Sequence, residues 1–333
     1  MPIIEVEALW KSFKTMRDRK RVQVDALSGV DLQVQEGEIF GFLGPNGAGK
    51  TTMLRILATL LPPDKGRTVV AGYDLLREPK KVRTCIGYVS QVGGADSMST
   101  GRENLILQAR LYDLTASTAQ KRAAELISNL EMTSFADRLV RTYSGGQRRR
   151  LDLALGLVHQ PKLLFLDEPT LGLDPQSRAQ VWSEVRKLHT AGTTIFLTTH
   201  YLEEADSLCD RLAIIDEGKI VAEGTPTQLK QQIAGDVITL SLQNAVEAIP
   251  RAEELLRAQP FIRSMQQAAD QQLQVYVERG EESLATIMRT LDAAKLNVHA
   301  VSLARPSLDD VFLRQTGHSL ASSTAQQNGQ GRS

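Results

Sequence analysis

The sequence predicts an α/β fold: a mainly parallel sheet with helices between its strands, an appended helical subdomain, and a small C-terminal α+β domain of ferredoxin-like pattern. Three observations predict it. A strand, a glycine-rich turn and a helix follow one another from Ile39 to Leu61. Continuous apolar strands such as "KLLFLD" then alternate with helical stretches, the mark of parallel strands buried on both faces. Past a composition shift near Gly224 the order becomes β-α-β-β-α-β.

Taken in order, Ile3 to Leu9 alternates apolar and acidic residues, as a half-exposed strand does. "KTMRDRKRVQV" from Lys14 reads as a charged connector, and "VDLQVQEGEIFGFLG" as two strands around a turn at Glu36-Gly37. "KTTMLRILATLL" is a helix, "CIGYVSQ" a short strand, and the stretch from about 95 to 142 is mostly helical. After "KLLFLDEPT" come a helix around Ser177–Leu188, the strand "TTIFLTTH", a helix from Leu202 and a strand "RLAIIDEGKIV". These elements place a first domain over residues 1–225 and an accessory domain over 226–317. Residues 318–333, rich in Ser, Gln and Gly, are expected to be a disordered tail.

At 333 residues, 42% hydrophobic and 23% charged, the composition is that of a globular protein with room for two cores. Lys+Arg and Asp+Glu each number 39, which gives no electrostatic reason to expect a nucleic-acid partner. Cys85 and Cys209 lack metal-site spacing and fit a reducing compartment. "MPIIEVEALWKSF" has no signal-peptide pattern, and no apolar run reaches the roughly 18 residues that cross a bilayer. Work at a membrane would need another polypeptide to span it.

"GPNGAGKT" fits G-x-x-x-x-G-K-[ST] between a strand and a helix. Gly44, Pro45, Asn46, Gly47, Ala48, Gly49, Lys50, Thr51 and Thr52 would line a nucleoside triphosphate, with backbone N–H groups closing around phosphates. Lys50 would reach the outer phosphates and the Thr51 hydroxyl would ligate Mg²⁺. "LLFLDEPT" ends a buried strand on Asp167, costly unless the carboxylate serves a cation, here Mg²⁺. Strand alternation places Glu168 on the opposite side, where it could act as general base on an attacking water. A second glycine-rich helix start, "YSGGQRRRLDLAL", offers Ser144, Gly145 and Gly146 to another anion.

In this order the motifs resemble the ATP-binding subunit of an ABC transporter. "GPNGAGKT", Gln91 after "IGYVS", "YSGGQ", "LLFLDEPT", "LGLD" and His200 after "FLTT" match that family's Walker A, Q-loop, signature, Walker B, D-loop and switch histidine, over about residues 3–225. Tyr143 stands where leucine is commoner. The resemblance implies a P-loop NTPase cassette that binds ATP and Mg²⁺. It makes Gln91 and His200, together with Glu168, contacts of the γ-phosphate, water or metal. It also implies a head-to-tail homodimer with a second ATPase subunit, in which Ser144, Gly145, Gly146 and Gln147, with Asp174, serve the ATP in the partner's P-loop. Phe13 falls where the family stacks an aromatic on adenine; a core phenylalanine at a strand end fits the residues equally. Arg148–Arg150 would face solvent or neighbouring phosphates and carboxylates.

"GTPTQLKQQIAGD" and "RPSLDDVFLRQTGH" are similar to the daunorubicin-resistance type of subunit, which partners ABC-2-type transmembrane permeases of multidrug, antibiotic, lipid or polysaccharide exporters. "SLDDVFLRQTG" also reads as a helix capped by Ser307. The expectation is a cytoplasmic ATPase held on the inner face of the cell membrane by its permease. The alternatives are an ABC ATPase acting on ribosomes or DNA, against which the single cassette and balanced charge stand, and a module that senses ATP without turnover.

Overall fold

The computed structural model describes residues 1–17, 20–232, 235–268, 272–304 and 307–316; the expected tail lies outside them. The chain divides into two compact units, Met1–Pro226 and Thr227–Ser319. The first begins with strands β1 (Pro2–Arg17), β2 (Lys20–Gln35) and β3 (Ile39–Leu43), helix α1 (Lys50–Leu57), β4 (Lys65–Val70), β5 (Tyr73–Asp74), α2 (Pro79–Cys85) and β6 (Ile86–Val89). Helices α3 (Gly101–Leu111), α4 (Ala116–Asn129) and α5 (Gly145–Leu157) follow. Next come β7 (Leu163–Asp167), α6 (Pro175–Thr190), β8 (Thr194–Thr199), α7 (Leu202–Leu208), β9 (Arg211–Asp216) and β10 (Lys219–Gly224), and α8 (Pro226–Gln232) starts at the division between the units.

Two sheets build this unit. One is four-stranded and antiparallel, in the order β2-β1-β4-β5; the other is six-stranded, in the order β10-β9-β3-β8-β7-β6, and parallel except for β10. The parallel strands β3, β7 and β8 are buried along their whole length, as their unbroken apolar runs require. Phe40, Phe165 and Phe196 pack ring against ring at centroid distances of 5.7 Å. Met53, Leu54, Ile56 and Leu57 of α1 join one core with Ile4 and Val34 of the antiparallel sheet and Phe42 of the parallel one.

Two expectations need correcting. The charged stretch from Lys14 is no connector but the outer part of the β1–β2 hairpin, where Phe13 pairs with Val24 and Lys14 with Gln23. Phe13, Lys14 and Thr15 on one strand and Val22, Gln23 and Val24 on the other are exposed. β2 and β3 stand on either side of a turn at Glu36-Gly37 as expected, and they belong to different sheets. "RLAIIDEGKIV" is two strands, because Glu217 and Gly218 both take positive φ (45° and 75°) and turn the chain back as a tight hairpin.

The second unit carries β11 (Asp236–Leu242), α9 (Ala245–Arg257), β12 (Ile262–Ala268), β13 (Gln272–Val277), α10 (Gly280–Ala293), β14 (Val298–Ala304) and α11 (Leu308–Thr316). Its antiparallel sheet, in the order β12-β13-β11-β14, is the ferredoxin-like arrangement expected from β-α-β-β-α-β. Ile238, Leu240, Val275 and Val277 of the strands meet Ile249, Leu256, Ile287 and Leu291 of the helices in a separate core. Ser307 caps α11, its Oγ accepting from Asp310 N at 3.3 Å.

Candidate nucleotide site

Parallel strands send the chain out at their carboxyl ends, and in open α/β sheets that edge gathers the ligand site. Here four neighbouring strands do so. β3 runs into the glycine-rich loop, β6 into Ser90 and Gln91, β7 into Glu168 and β8 into His200. Their ends line a cleft of about 470 Å³, together with Phe13, Ala26 and Leu171.

The loop is wound around Lys50. The Lys50 side chain is 4% exposed, and its ammonium donates to the Gly44 and Pro45 carbonyls at 2.7 and 3.0 Å. Gly49 caps α1 at φ 110°, and a Cβ there would lie 2.3 Å from the Ala26 carbonyl oxygen, so only glycine lets the loop pack this closely. No side chain caps α1, which leaves its first N–H groups to the cleft. Asn46, Gly47, Gly49, Lys50, Thr51 and Thr52 all line it.

Asp167 is buried at the end of β7; its Oδ1 accepts from Thr198 Oγ1 at 2.7 Å and from Thr51 Oγ1 at 3.2 Å. One residue beyond the strand, Glu168 has φ 46°, so the alternation that sets side chains on opposite faces has already ended. Its N–H is held by the Thr198 carbonyl and hydroxyl, each at 3.1 Å. Its Oε1 accepts from His200 Nδ1 at 3.2 Å and lies 3.5 Å from Lys50 Nζ. A carboxylate only accepts here, so Nδ1 carries the proton and Nε2 of a neutral His200 is left as an acceptor.

Burial pushes the Glu168 pKa up, but the His200 hydrogen bond and the Lys50 charge outweigh it and hold the carboxyl below its ordinary range. Burial pulls Lys50 down, against the charges of Glu168 and Asp167. The pair is a base kept ionised beside a cation partly stripped of water.

Phe13 is 40% exposed and lines the cleft, so it is not the core residue that a strand-end phenylalanine could have been. Gln91 is exposed at the cleft. The signature residues and Asp174 do not line it. Ser144 caps α5 in a reciprocal box with Gln147, at 3.1 and 3.3 Å, and Asp174 caps α6 through Ser177 at 2.9 and 2.6 Å. The arginine run divides: Arg148 is exposed and Arg150 bonds Gln180, whereas Arg149 is buried within the field of the Asp152, Glu204 and Asp167 carboxylates, so of the surroundings expected for it the carboxylates are met and solvent is not. Sequence reasoning also passed over Thr198, which anchors both Asp167 and Glu168. It passed over buried Glu204 as well, whose Oε1 accepts from Thr170 Oγ1 and Trp182 Nε1, each at 2.9 Å.

A P-loop at the edge of a parallel sheet, with two carboxylates and a histidine facing its lysine, defines a nucleoside-triphosphatase cassette. Comparison with known proteins makes this particular. The model of the ABC transporter family matches residues 27–171, and that of the ATP-binding protein DrrA1-3-like C-terminal domain matches 224–316. The chain is 46% identical over 293 residues to the daunorubicin resistance ATP-binding protein DrrA2 of Streptomyces coeruleorubidus, covering 88% of this chain and 91% of that one. It is 37% identical to the Nod factor export ATP-binding protein I of Ralstonia nicotianae, covering 96% and 95%. Among solved structures, the dimeric post-hydrolysis state of the ATP-binding cassette MJ0796 bound to ADP and Pi matches with TM-score 0.60 and 27% identity, over 67% of this chain and 98% of that one. The chain belongs to the ATP-binding subunits of ABC transporters, and it is an ATPase of that class.

Proposed function

We propose that the chain powers an exporter as a head-to-tail dimer in which each ATP·Mg²⁺ lies between the P-loop of one subunit and the signature of the other. The observation that carries the dimer is at Gly145 and Gly146. Neither has the left-handed φ that calls for glycine, and a Cβ on either would meet nothing closer than 3.4 Å. Nothing in their own chain needs them to be glycine. A ligand brought by a partner does, because bare amides at a helix start can approach a phosphate closely. MJ0796 is dimeric in its solved forms.

In this reading Lys50 and the α1 amides hold the outer phosphates and Phe13 offers its face to the adenine. Thr51 Oγ1, the Asp167 carboxylate and Gln91 form an all-oxygen donor set that fits Mg²⁺, and Asp167 is already buried with two hydroxyls turned to it. The ion supplies neutralisation of charge on the phosphate oxygens. Glu168, held ionised and oriented by His200, takes the proton of the attacking water, and the neighbouring Lys50 draws the phosphoryl oxygens into line.

The membrane partner is an ABC-2-type permease, and the protein sits on the cytoplasmic face of the membrane through it. No helix among the described residues is long and apolar enough to cross a membrane. Val92, Met98, Leu107 and Leu111, all exposed between the Gln91 loop and the end of α3, offer an apolar surface for the permease. The cargo is a drug, an antibiotic, a lipid or a polysaccharide, a reading supported by relatives named for daunorubicin resistance, linearmycin resistance and Nod factor export.

Mixed dimers test the shared site. Asp at Gly145 suits the first turn of α5, so a Gly145→Asp chain should fold. Paired with a Lys50→Ala chain it leaves one intact site if signatures work across the interface, and ATP-dependent closure persists. Wild type paired with the Lys50→Ala/Gly145→Asp double variant leaves none. Activity in the second mixture alone would overturn the proposal.

A further inference from the structure

The helix that begins with the signature carries two charged side chains turned inward. Arg149 and Asp152 are 6% and 7% exposed, and at a spacing of three they share one face of α5. Arg149 Nη1 donates to the Ser90 carbonyl at 2.9 Å, and Nη2 reaches the Asp167 carbonyl at 3.4 Å. Asp152 Oδ1 accepts from Gly94 N at 3.3 Å. Ser90 and Gly94 bracket Gln91, so α5 holds the Gln91 loop at both ends. Between them Gly93 takes φ 80°, and a Cβ there would lie 2.8 Å from Asp152 Oδ2. The carboxylate closes on the loop only because that residue is glycine.

An apolar pair would bury this helix face at lower cost, since both charges must give up water. What the charged pair adds is one fixed geometry between a loop and a helix. The guanidinium is a planar fork that can hold two carbonyls at once, and it spans the segments of Gln91 and Asp167. Arg149 is four residues from Gly145, about 6 Å along a rigid helix.

We propose that Arg149 and Asp152 are positioning residues that couple a chain's own Gln91 loop to the Ser144–Gly146 helix start it presents to its partner. A shift of the loop as Gln91 engages nucleotide is carried by the clamp into α5. The occupancy of one site is thereby read at the other. The inference rests on the cross-subunit reading above.

The test uses the full chain carrying Glu168→Gln, which should collect ATP-bound dimers, with Arg149→Met, Arg149→Lys or Asp152→Leu added. A fluorescent ATP analogue reports the affinity of the monomer. Light scattering against ATP concentration reports closure. In chains with Glu168 intact, steady-state hydrolysis separates kcat from KM and gives the Hill coefficient. Arg149→Met and Asp152→Leu should keep monomer affinity within about 2-fold while the closure midpoint rises about 10-fold, the worth of one charge-assisted hydrogen bond. Their kcat should fall with KM little changed, and the Hill coefficient should drop towards 1. Arg149→Lys should recover only part, since an ammonium cannot hold both carbonyls in the fork's geometry. It carries the test should Arg149→Met fail to fold.

Closure and kcat equal to those of the parent in these variants would overturn the clamp. A parallel loss of affinity and closure would mark the pair as structural and overturn it too. If the Glu168→Gln parent itself never dimerises with ATP, the shared-site reading falls and takes the clamp with it. That result is distinct from a dimerising parent with unaffected variants.

Discussion

At the scale of single residues, the site turns on where one carboxylate is aimed. Glu168 has left the strand at φ 46°, and its N–H is fastened to Thr198. Its Oε1 therefore comes within reach of both His200 and Lys50. Glu168→Gln keeps the shape and removes the carboxylate proposed as base, so ATP binding should persist while kcat falls at least ~100-fold. ATP should then trap a dimer visible on a sizing column; near-normal turnover would mean that another group activates the water. Lys50→Ala should weaken nucleotide binding by at least ~10-fold, as loss of a phosphate-facing cation does, measured with a fluorescent analogue and Mg²⁺. Unchanged affinity would remove the P-loop assignment. The residue types behind both predictions were legible because P-loop chemistry needs a particular order of glycines, lysine and hydroxyl. The partners of Glu168, His200 and Lys50, were not, because alternation describes a strand and says nothing about the residue that follows it. Arg149 was hidden for another reason: three adjacent arginines look alike until a helix turns one of them inward.

At the scale of elements, apolar strands were easy to place and the hairpin of β1 and β2 was not. Burial on both faces leaves an unbroken signature, whereas a solvent-exposed ribbon can be built from charges as well as from anything else. A helix end carries the next prediction. His159 lies just beyond α5, stacked on Tyr112 with centroids 3.8 Å apart, and its Nε2 is 2.8 Å from the Ile86 carbonyl. A carbonyl accepts, so Nε2 bears the hydrogen, and buried Nδ1 has no hydrogen-bond partner among the described residues. Burial lowers its pKa from the ordinary 6.5, the bond to Ile86 opposes this, and the Arg122 charge adds to the lowering. The unfolded chain therefore takes up this proton before the folded one does. Its contribution to stability is complete above about pH 6.5 and is lost as pH falls towards the lower folded value. Urea midpoints at pH 7.5 and 5.5 should show that loss. His159→Phe keeps the stack and cannot titrate, so it should cost about 1 kcal/mol at pH 7.5 for the lost hydrogen bond yet show a smaller drop between the two pH values. An equal drop in both proteins would place the pH sensitivity elsewhere.

At the scale of the whole molecule, each unit has an apolar core of its own, and these two cores share no residue. One is built from both sheets of the first unit and α1, the other from β11, β13 and the helices α9 and α10. The second core was legible because alternating strands and amphipathic helices in the order β-α-β-β-α-β can close on themselves without outside help. Every residue assigned to nucleotide lies in the first unit, from Phe13 to His200. A chain ending at Thr225 should then fold cooperatively and bind a fluorescent ATP analogue within about 3-fold of the full-length protein, since neither the cleft nor its supporting core loses a residue. The complementary piece, Thr227 to Thr316, should give its own cooperative urea transition, because its sheet has helices to cover it. What truncation should reduce is recovery of the ATPase with its permease when the two are coexpressed. Loss of cooperative unfolding in the shortened chain would instead mean that the first unit depends on the second for its stability. ATP binding retained together with undiminished permease recovery would confine the accessory unit to some role other than docking.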